Sequence, residues 1–431
     1  MVGPTTYYRP EFSGELPDDT RQLIERRQAV LGAPYRLFYR HPIHAVSARG
    51  ATITDRDGRE YLDAYNNVAV VGHNHPRVVE AVSKALTTLN THTRYLHPAI
   101  VDYSEAVLSS LPDHLNRVVY TCTGSEANDL ALRMARTVTG HRGVIVTDYA
   151  YHGVTEATAD MSPSLVGAKN LPDHVVVLSS PAHYGNWEEE VTTAIATLNQ
   201  RGHGVAALVL DTIFASDGLW PLGASDDLDR GITRAVDAVR AAGGLVVADE
   251  VQAGFGRVGE SLWGFRGRFT PDVVTLGKPM GNGYPVAGIV ATQEMFDAFS
   301  EKGRYFNTFG GTQAAMAAAH ATWNVLHDDD LPAHSTAMEK YLREAFSPLD
   351  TNPRVGGIRG VGLYWSIDLV TADGDPDEPF TLSCVNALRE AGVLIAASGP
   401  TNSSLKIRPP LVMSETQGKK LADAVVTVCN R

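Results

Sequence analysis

Short apolar runs alternate with amphipathic stretches through the middle of the chain. Seven runs rich in Val, Leu, Ile and Ala read as strands: residues 117–121, 143–148, 175–179, 205–211, 244–250, 272–276 and 287–291. Segments with helical spacing of apolar positions lie between several of them, at 125–138, 188–199 and 227–242, and another follows at 313–326. Strand, helix, strand in succession predicts βαβ units. The expected core is therefore an α/β domain over roughly residues 61–315. Its sheet is expected to be seven-stranded, mostly parallel and covered on both faces.

The flanks read differently. Residues 1–60 are rich in aromatics and turn formers, and 52–62 alternate around Asp57-Gly58 as a β-hairpin does. Residues 316–431 mix helical stretches with strand-like runs at 360–369, 393–396 and 405–407. A smaller α+β unit built from both chain ends, 1–60 and 316–431, is the simplest arrangement. Residues 373–378, acids among Gly and Pro, read as an exposed loop.

Composition narrows the function classes. Of 431 residues, 44% are hydrophobic, enough for a large core. Lys and Arg number 37 against 49 Asp and Glu, a net charge of −12. That balance argues against nucleic acid or an anionic membrane as partner, since both select basic surfaces. It does not exclude a small anion, because a site is local. Three scattered cysteines, Cys122, Cys384 and Cys429, suggest neither a disulfide framework nor a zinc cluster. No basic start followed by an apolar stretch opens the chain, and no apolar run approaches the ~20 residues of a membrane span. A cytoplasmic protein is the expectation.

Some motifs are set aside. Gly254-Phe-Gly-Arg-Val-Gly259 matches the dinucleotide pattern, but no convincing helix start follows it, so turn glycines are the better reading. His73-x-His75 has no Cys or acid cluster beside it, so no metal is expected. Ser125 does not sit in a nucleophile elbow.

Four segments carry chemistry. In Tyr120-Thr-Cys-Thr-Gly-Ser-Glu-Ala-Asn128 a strand ends, Thr123 and Glu126 form a capping box, and a helix opens at Gly124 and Ser125. Such a start, with free N–H groups and a hydroxyl, is a phosphate cradle. Tyr151 and His152 follow a strand, where a ring can stack on a flat ligand. An apolar run ends in Asp249-Glu250, and a buried acid there needs a cation, such as a protonated pyridine nitrogen. Another run ends in Gly277-Lys278-Pro279, where poor solvation can turn a lysine into a Schiff-base former. Each segment alone also admits a plain structural role. Together they are the parts of a pyridoxal 5'-phosphate (PLP) site.

These segments, with Val71-Gly-His-Asn-His-Pro76 and Asn307-Thr-Phe-Gly-Gly311, resemble class III PLP-dependent aminotransferases of fold type I over nearly the whole chain. The resemblance implies that Lys278 holds the cofactor and that Asp249 pairs with its ring nitrogen. It places Gln252 near the ring hydroxyl, Tyr151 against the ring, and Gly124 and Ser125 on the phosphate. It assigns Thr308 to the neighbouring subunit's phosphate, which implies a homodimer with composite active sites. Two departures stand out. Asp211-Thr-Ile-Phe-Ala215 replaces the usual Glu-Pro-x-Gln-Gly, and Lys406 stands where many relatives carry an arginine for a substrate carboxylate. Other stretches, among them Tyr65-Asn-Asn-Val-Ala69 and 89–97, are similar to the ethanolamine-phosphate phospho-lyase branch. That likeness implies a small phosphorylated amine, O-phosphoethanolamine, as substrate, with acetaldehyde, ammonia and phosphate as products. A conventional aminotransferase acting on an amine or ω-amino acid is the alternative. Candidates to bind the substrate phosphate are Arg268 first, then Lys406, Arg408, Arg94, His73, Tyr7, Tyr8 and Arg9.

Overall fold

A computed structural model describes residues 8–183 and 186–431. Seven strands form the central sheet: β1 (Arg117–Thr121), β2 (Gly143–Thr147), β3 (Val175–Leu178), β4 (Val205–Asp211), β5 (Leu245–Asp249), β6 (Val273–Leu276) and β7 (Ala287–Ala291). Their order is β1-β7-β6-β5-β4-β2-β3. Only β7 runs against its neighbours, pairing antiparallel with β1 and β6. The predicted α/β sheet is therefore present, with every predicted strand in it.

Period-two alternation explains why these runs became sheet. Along β2 and β4, Val144, Val146, Ala207 and Val209 pack on one face against helix α1 (Gly124–Thr139). Ile145, Leu208 and Leu210 pack on the other against α2 (Trp187–Gln200) and α3 (Asp226–Ala241). Both faces are covered, so the central strands read as continuous apolar runs. After the sheet, α4 (Gln313–Asp328) packs on the earlier helix Pro76–Thr88.

The chain ends form two smaller sheets and meet in the first of them. Strands Ala45–Arg49, Thr52–Asp55 and Glu60–Asp63 form a meander, and Val393–Leu394 joins it in parallel with Glu60–Asp63. The other sheet orders Val355–Val361, Tyr364–Leu369, Ser404–Ile407 and Ala396–Ser398. Two expectations are corrected here. Residues 360–369 are not one strand: the chain reverses at Gly362, whose φ of +52° suits a tight hairpin turn. Residues 393–396 are split between the two sheets, because Ile395 lies at the switch. Neither signal is visible in hydrophobicity, which stays high through both breaks.

No described helix is long and apolar enough to cross a membrane.

Candidate active site

Three parallel strands end side by side. Asp211 on β4 is in register with Asp249 on β5, and Asp249 with Thr275 on β6, whose chain runs on to Gly277 and Lys278. Ligands in parallel α/β sheets gather at this edge. The start of α1 closes the group. A Cβ on Gly277 would lie 3.3 Å from the Gly124 Cα, and one on Gly124 would lie 2.9 Å from the Val251 side chain. Glycine at both places lets the helix start approach the lysine. Lys278 itself has φ +22°, a conformation few L-residues hold, and such outliers gather at functional sites.

One cavity is lined by Gly124, Ser125, Asn128, Tyr151, His152, Gly153, Asp211, Asp249, Val251, Gln252 and Lys278. Six of the residues predicted from sequence are therefore together: Gly124, Ser125, Tyr151, Asp249, Gln252 and Lys278. The capping box forms as expected, with Glu126 N–H donating to Thr123 Oγ1 at 3.2 Å and Glu126 Oε2 accepting from Thr123 N–H at 3.3 Å. The N–H groups of Gly124 and Ser125 remain without intrahelical partners, as helix geometry requires. Ser125 Oγ accepts from Val154 N–H at 3.1 Å, which ties the Tyr151–Val154 loop to the helix start.

Lys278 Nζ lies 5.9 Å from the centre of the Tyr151 ring. It makes no hydrogen bond or ion pair among the described residues. Burial lowers its pKa, the charge of Asp249 opposes that, and Arg408 adds to it. A lysine poised in this way is a competent nucleophile and base. Burial by itself would raise the Asp249 carboxyl. The His152 hydrogen bond and charge, Val251 N–H and Lys278 outweigh it and hold the group below the usual carboxylate range. Asp211 goes the other way, raised by burial and then by Asp249 beside it.

The neighbouring acid, Glu250, serves structure. Its carboxyl accepts from Gly264 and Phe265 N–H, both at 2.9 Å, and so ties down the turn-rich stretch after β5. That stretch contains the Gly254–Gly259 motif, and it is turns rather than the strand-to-helix unit a dinucleotide needs. Within it, Arg257 donates Nη1 to the carbonyls of Leu363 and Pro409, anchoring the segment that carries Lys406 and Arg408.

Arg268, the first candidate for substrate phosphate, is committed elsewhere. Its Nε and Nη2 donate to Asp229 at 3.1 and 2.9 Å, and its Nη1 to the carbonyls of Thr212 and Trp220 at 2.8 Å. It does not line the cavity. The sequence showed a cation in a Gly-rich loop but not the Asp229 carboxylate that claims it from α3. His73 pairs with the buried Asp63 at 2.6 Å, and Arg94 lies over Phe306 at 4.0 Å. Tyr8 N–H is bound to Leu37 O, Arg9 pairs with Glu11 at 3.7 Å, and Tyr7 lies outside the described residues.

Lys406 and Arg408 remain near the cavity. Arg408 Nη1 donates to Oε1 of the cavity residue Gln252, and its Nε to Tyr65 O at 2.8 Å. Its guanidinium also lies over the Tyr65 ring, 4.6 Å from the ring centre. Lys406 has no hydrogen-bond or ion-pair partner among the described residues. Burial pushes its pKa well down, Arg408 adds to the effect, and Asp211 opposes it. Thr308 is exposed on a loop shaped by Asn307 Oδ1, which accepts from Phe309 and Gly310 N–H at 3.1 and 2.9 Å; it does not line its own chain's cavity.

Two residues escaped the sequence reading. Asn128 donates to Asp249 across 121 positions of chain at 2.9 Å, and His152 was noted only as a stacking ring. No local pattern announces either contact.

The donor set fits PLP. A helix start with open N–H groups faces the cavity, an ionised buried acid lies within it, and a lysine with no partner among the described residues stands beside a tyrosine ring.

Comparison with known proteins agrees. Residues 38–429 match the family described as Aminotransferase class-III. The chain is 35% identical to ethanolamine-phosphate phospho-lyase homolog 1 of Caenorhabditis elegans, over 95% of this chain and 94% of that relative. It is 36% identical to an alanine–glyoxylate aminotransferase 2-like protein of Drosophila melanogaster, over 90% of this chain and 83% of the other. Among solved structures, a phospholyase from Arthrobacter in complex with phosphoethanolamine superposes with a TM-score of 0.89 at 40% identity, covering 94% of this chain and 99% of that one. The chain belongs to the class III aminotransferase family of PLP-dependent enzymes, with the fold type I architecture.

Proposed function

We propose that the chain is a phospho-lyase that eliminates phosphate from O-phosphoethanolamine, giving acetaldehyde, ammonia and phosphate. The observation that carries this reading is a pair of basic side chains beside the cavity: Lys406, with no hydrogen-bond or ion-pair partner among the described residues, and Arg408, whose Nη1 donates to the cavity residue Gln252. A phosphate dianion is a natural partner for them, and its charge would favour the protonated Lys406 that burial opposes. A lysine in place of an arginine fork suits a compact phosphate better than a planar carboxylate. The Arthrobacter and C. elegans relatives support the same substrate class.

Bound PLP supplies an electron sink for the charge left when a C–H bond next to nitrogen breaks. The chain's own groups do the rest. Lys278 Nζ takes the proton from the carbon bearing the substrate nitrogen. Asp249 holds the negative charge that the protonated ring nitrogen requires. Lys406 and Arg408 bind the phosphate as the C–O bond breaks and its electron pair leaves on oxygen. Water then converts the released enamine to acetaldehyde and ammonia.

We also propose that two chains pair and complete each other's sites through Thr308. Leu96 and Phe309 are 99% and 69% exposed, and the His92–Phe306 ring contact at 5.6 Å brings their segments together. Exposed apolar side chains such as these would gain by burial against a second chain.

A second reading, amine transfer to a keto acid, is favoured by the aminotransferase relative in Drosophila at similar identity. One experiment separates the two. The enzyme is given O-phosphoethanolamine with and without a keto acid, and phosphate, acetaldehyde and amine transfer are followed together. Phosphate release independent of keto acid is expected. Release no greater than that of Lys278→Ala would overturn the proposal, and turnover only with keto acid would establish the aminotransferase.

A further inference from the structure

Strands Tyr364–Leu369 and Ser404–Ile407 pair antiparallel, with Ser366 opposite Lys406 and Asp368 opposite Ser404. Alternation sends Trp365, Ile367, Leu405 and Ile407 into the apolar core. The other face carries Tyr364, Ser366, Asp368, Ser404 and Lys406, and Arg408 follows with its guanidinium 6.0 Å from the Tyr364 ring centre. This face meets the loop after Asp211, since Tyr364 packs with Ile213 and Ala215. Arg408 reaches the cavity from it by donating to Gln252.

The two ends of this polar face differ. At one end the groups pair with one another: Asp368 accepts from Arg359 at 2.6 and 2.9 Å and from Ser404 Oγ at 2.6 Å. At the end nearer Arg408 they do not. Tyr364 and Ser366 are 0% and 3% exposed, and their hydroxyl oxygens have no hydrogen-bond partner within the geometric limits among the described residues. Lys406, directly across from Ser366, has no such partner either. Burial keeps the Tyr364 hydroxyl protonated against the pull of Arg408, so it is a donor. A buried hydroxyl without a partner costs stability, and Phe or Ala in the same places would avoid that cost. Two hydroxyls and an ammonium share the capacity to donate, and their complement is an oxyanion. Phosphate, with three strongly accepting oxygens, can take all three.

We propose that Tyr364 and Ser366 bind the substrate phosphate, each donating its hydroxyl hydrogen to a phosphate oxygen beside Lys406. The same bonds hold the phosphate as it departs. The inference rests on the phospho-lyase reading and extends it to two hydroxyls on the sheet that carries Lys406.

Tyr364→Phe and Ser366→Ala in the full-length, PLP-loaded enzyme test it, since each removes one hydroxyl and the cofactor already fills its own phosphate cradle. Inorganic phosphate is titrated by calorimetry, KM is measured for O-phosphoethanolamine, and thermal melting is followed with and without phosphate. Each variant should bind phosphate about tenfold more weakly and show a similar rise in KM, because a hydrogen bond to a charged group is lost. The visible band of lysine-bound PLP should not change. Without phosphate both variants should melt no lower than the parent, since no internal hydrogen bond is removed. Added phosphate should raise their melting temperature less than the parent's. Phosphate affinity and KM equal to the parent's in both variants would overturn the proposal and leave the hydroxyls to water alone. A fall of several degrees in melting temperature without phosphate, with affinity unchanged, would overturn it too and assign the hydroxyls to the fold. The two readings fail separately. A parent that binds phosphate through these hydroxyls yet releases none from O-phosphoethanolamine sinks only the phospho-lyase. A parent that releases phosphate while both variants match it sinks only this inference.

Discussion

At the scale of single residues, environment decides the role of each acid. Asp249 and Glu250 are adjacent and both buried, yet burial pushes Glu250 up to about 7 while His152 and the backbone hold Asp249 down. The sequence marked the pair but gave no means to divide the work. Lys278 was legible, because a lysine between Gly and Pro at a strand end has few structural uses. Lys278→Ala should abolish both turnover and the visible band of lysine-bound PLP; a variant that kept the band would show the assignment to be wrong. Asp217 offers a test of buried charge. Its Oδ2 accepts from Thr147 at 3.0 Å, Oδ1 has no hydrogen-bond partner within the geometric limits among the described residues, and burial pushes its pKa up to about 8 from 3.8. Between those two values the folded chain keeps a proton that the unfolded chain has lost. Stability therefore falls as pH rises through that window and levels off above it. Asp217→Asn removes the titration. Its stability relative to the parent should improve by about 1 kcal/mol per pH unit across the window. Urea unfolding at several pH values measures this, and a difference independent of pH would refute it.

At the scale of elements, the strands and the main helices were readable because their apolar periods differ. The start of α1 was readable to the residue, because capping chemistry is local: Thr123 and Glu126 bond within one turn. Thr123→Ala should cost about 1 kcal/mol in unfolding free energy, and Thr123→Ser close to nothing. The same Ala variant should release PLP faster, since the N–H groups of Gly124 and Ser125 are aimed by that turn. Unchanged cofactor dissociation would separate the cap from the phosphate cradle. The hairpin at Gly362 and the sheet switch at Ile395 were not readable. Both depend on partner strands far along the chain, as Leu62 does when it pairs with Val393.

At the scale of the whole molecule, the net charge of −12 bears on solubility and on partners to avoid. It says nothing of a small anion at the cavity, because a helix start and a single arginine, Arg408, can make a local positive field in an acidic protein. The exposed Leu96 and Phe309 bear on assembly. Phe309→Asp should shift the molecular mass in solution from two chains to one and weaken PLP retention, because Thr308 would leave the partner's site. Light scattering with a cofactor-release assay reads both outcomes. A parent protein that is already monomeric and fully loaded would remove the composite site from the proposal.

Local signals along the chain determined the α/β class, the strand ends that bear Asp249 and Lys278, and the capped helix start. Hydrophobic period, turn residues and caps act within a few positions, so they are written in order. What tertiary structure decided was which polar groups face one another. Arg268 was lost to Asp229, Arg408 came to Gln252, and His152 and Asn128 came to Asp249. Those pairings join elements distant along the chain. They follow from packing, because a buried donor or acceptor must take whichever partner the fold brings within reach.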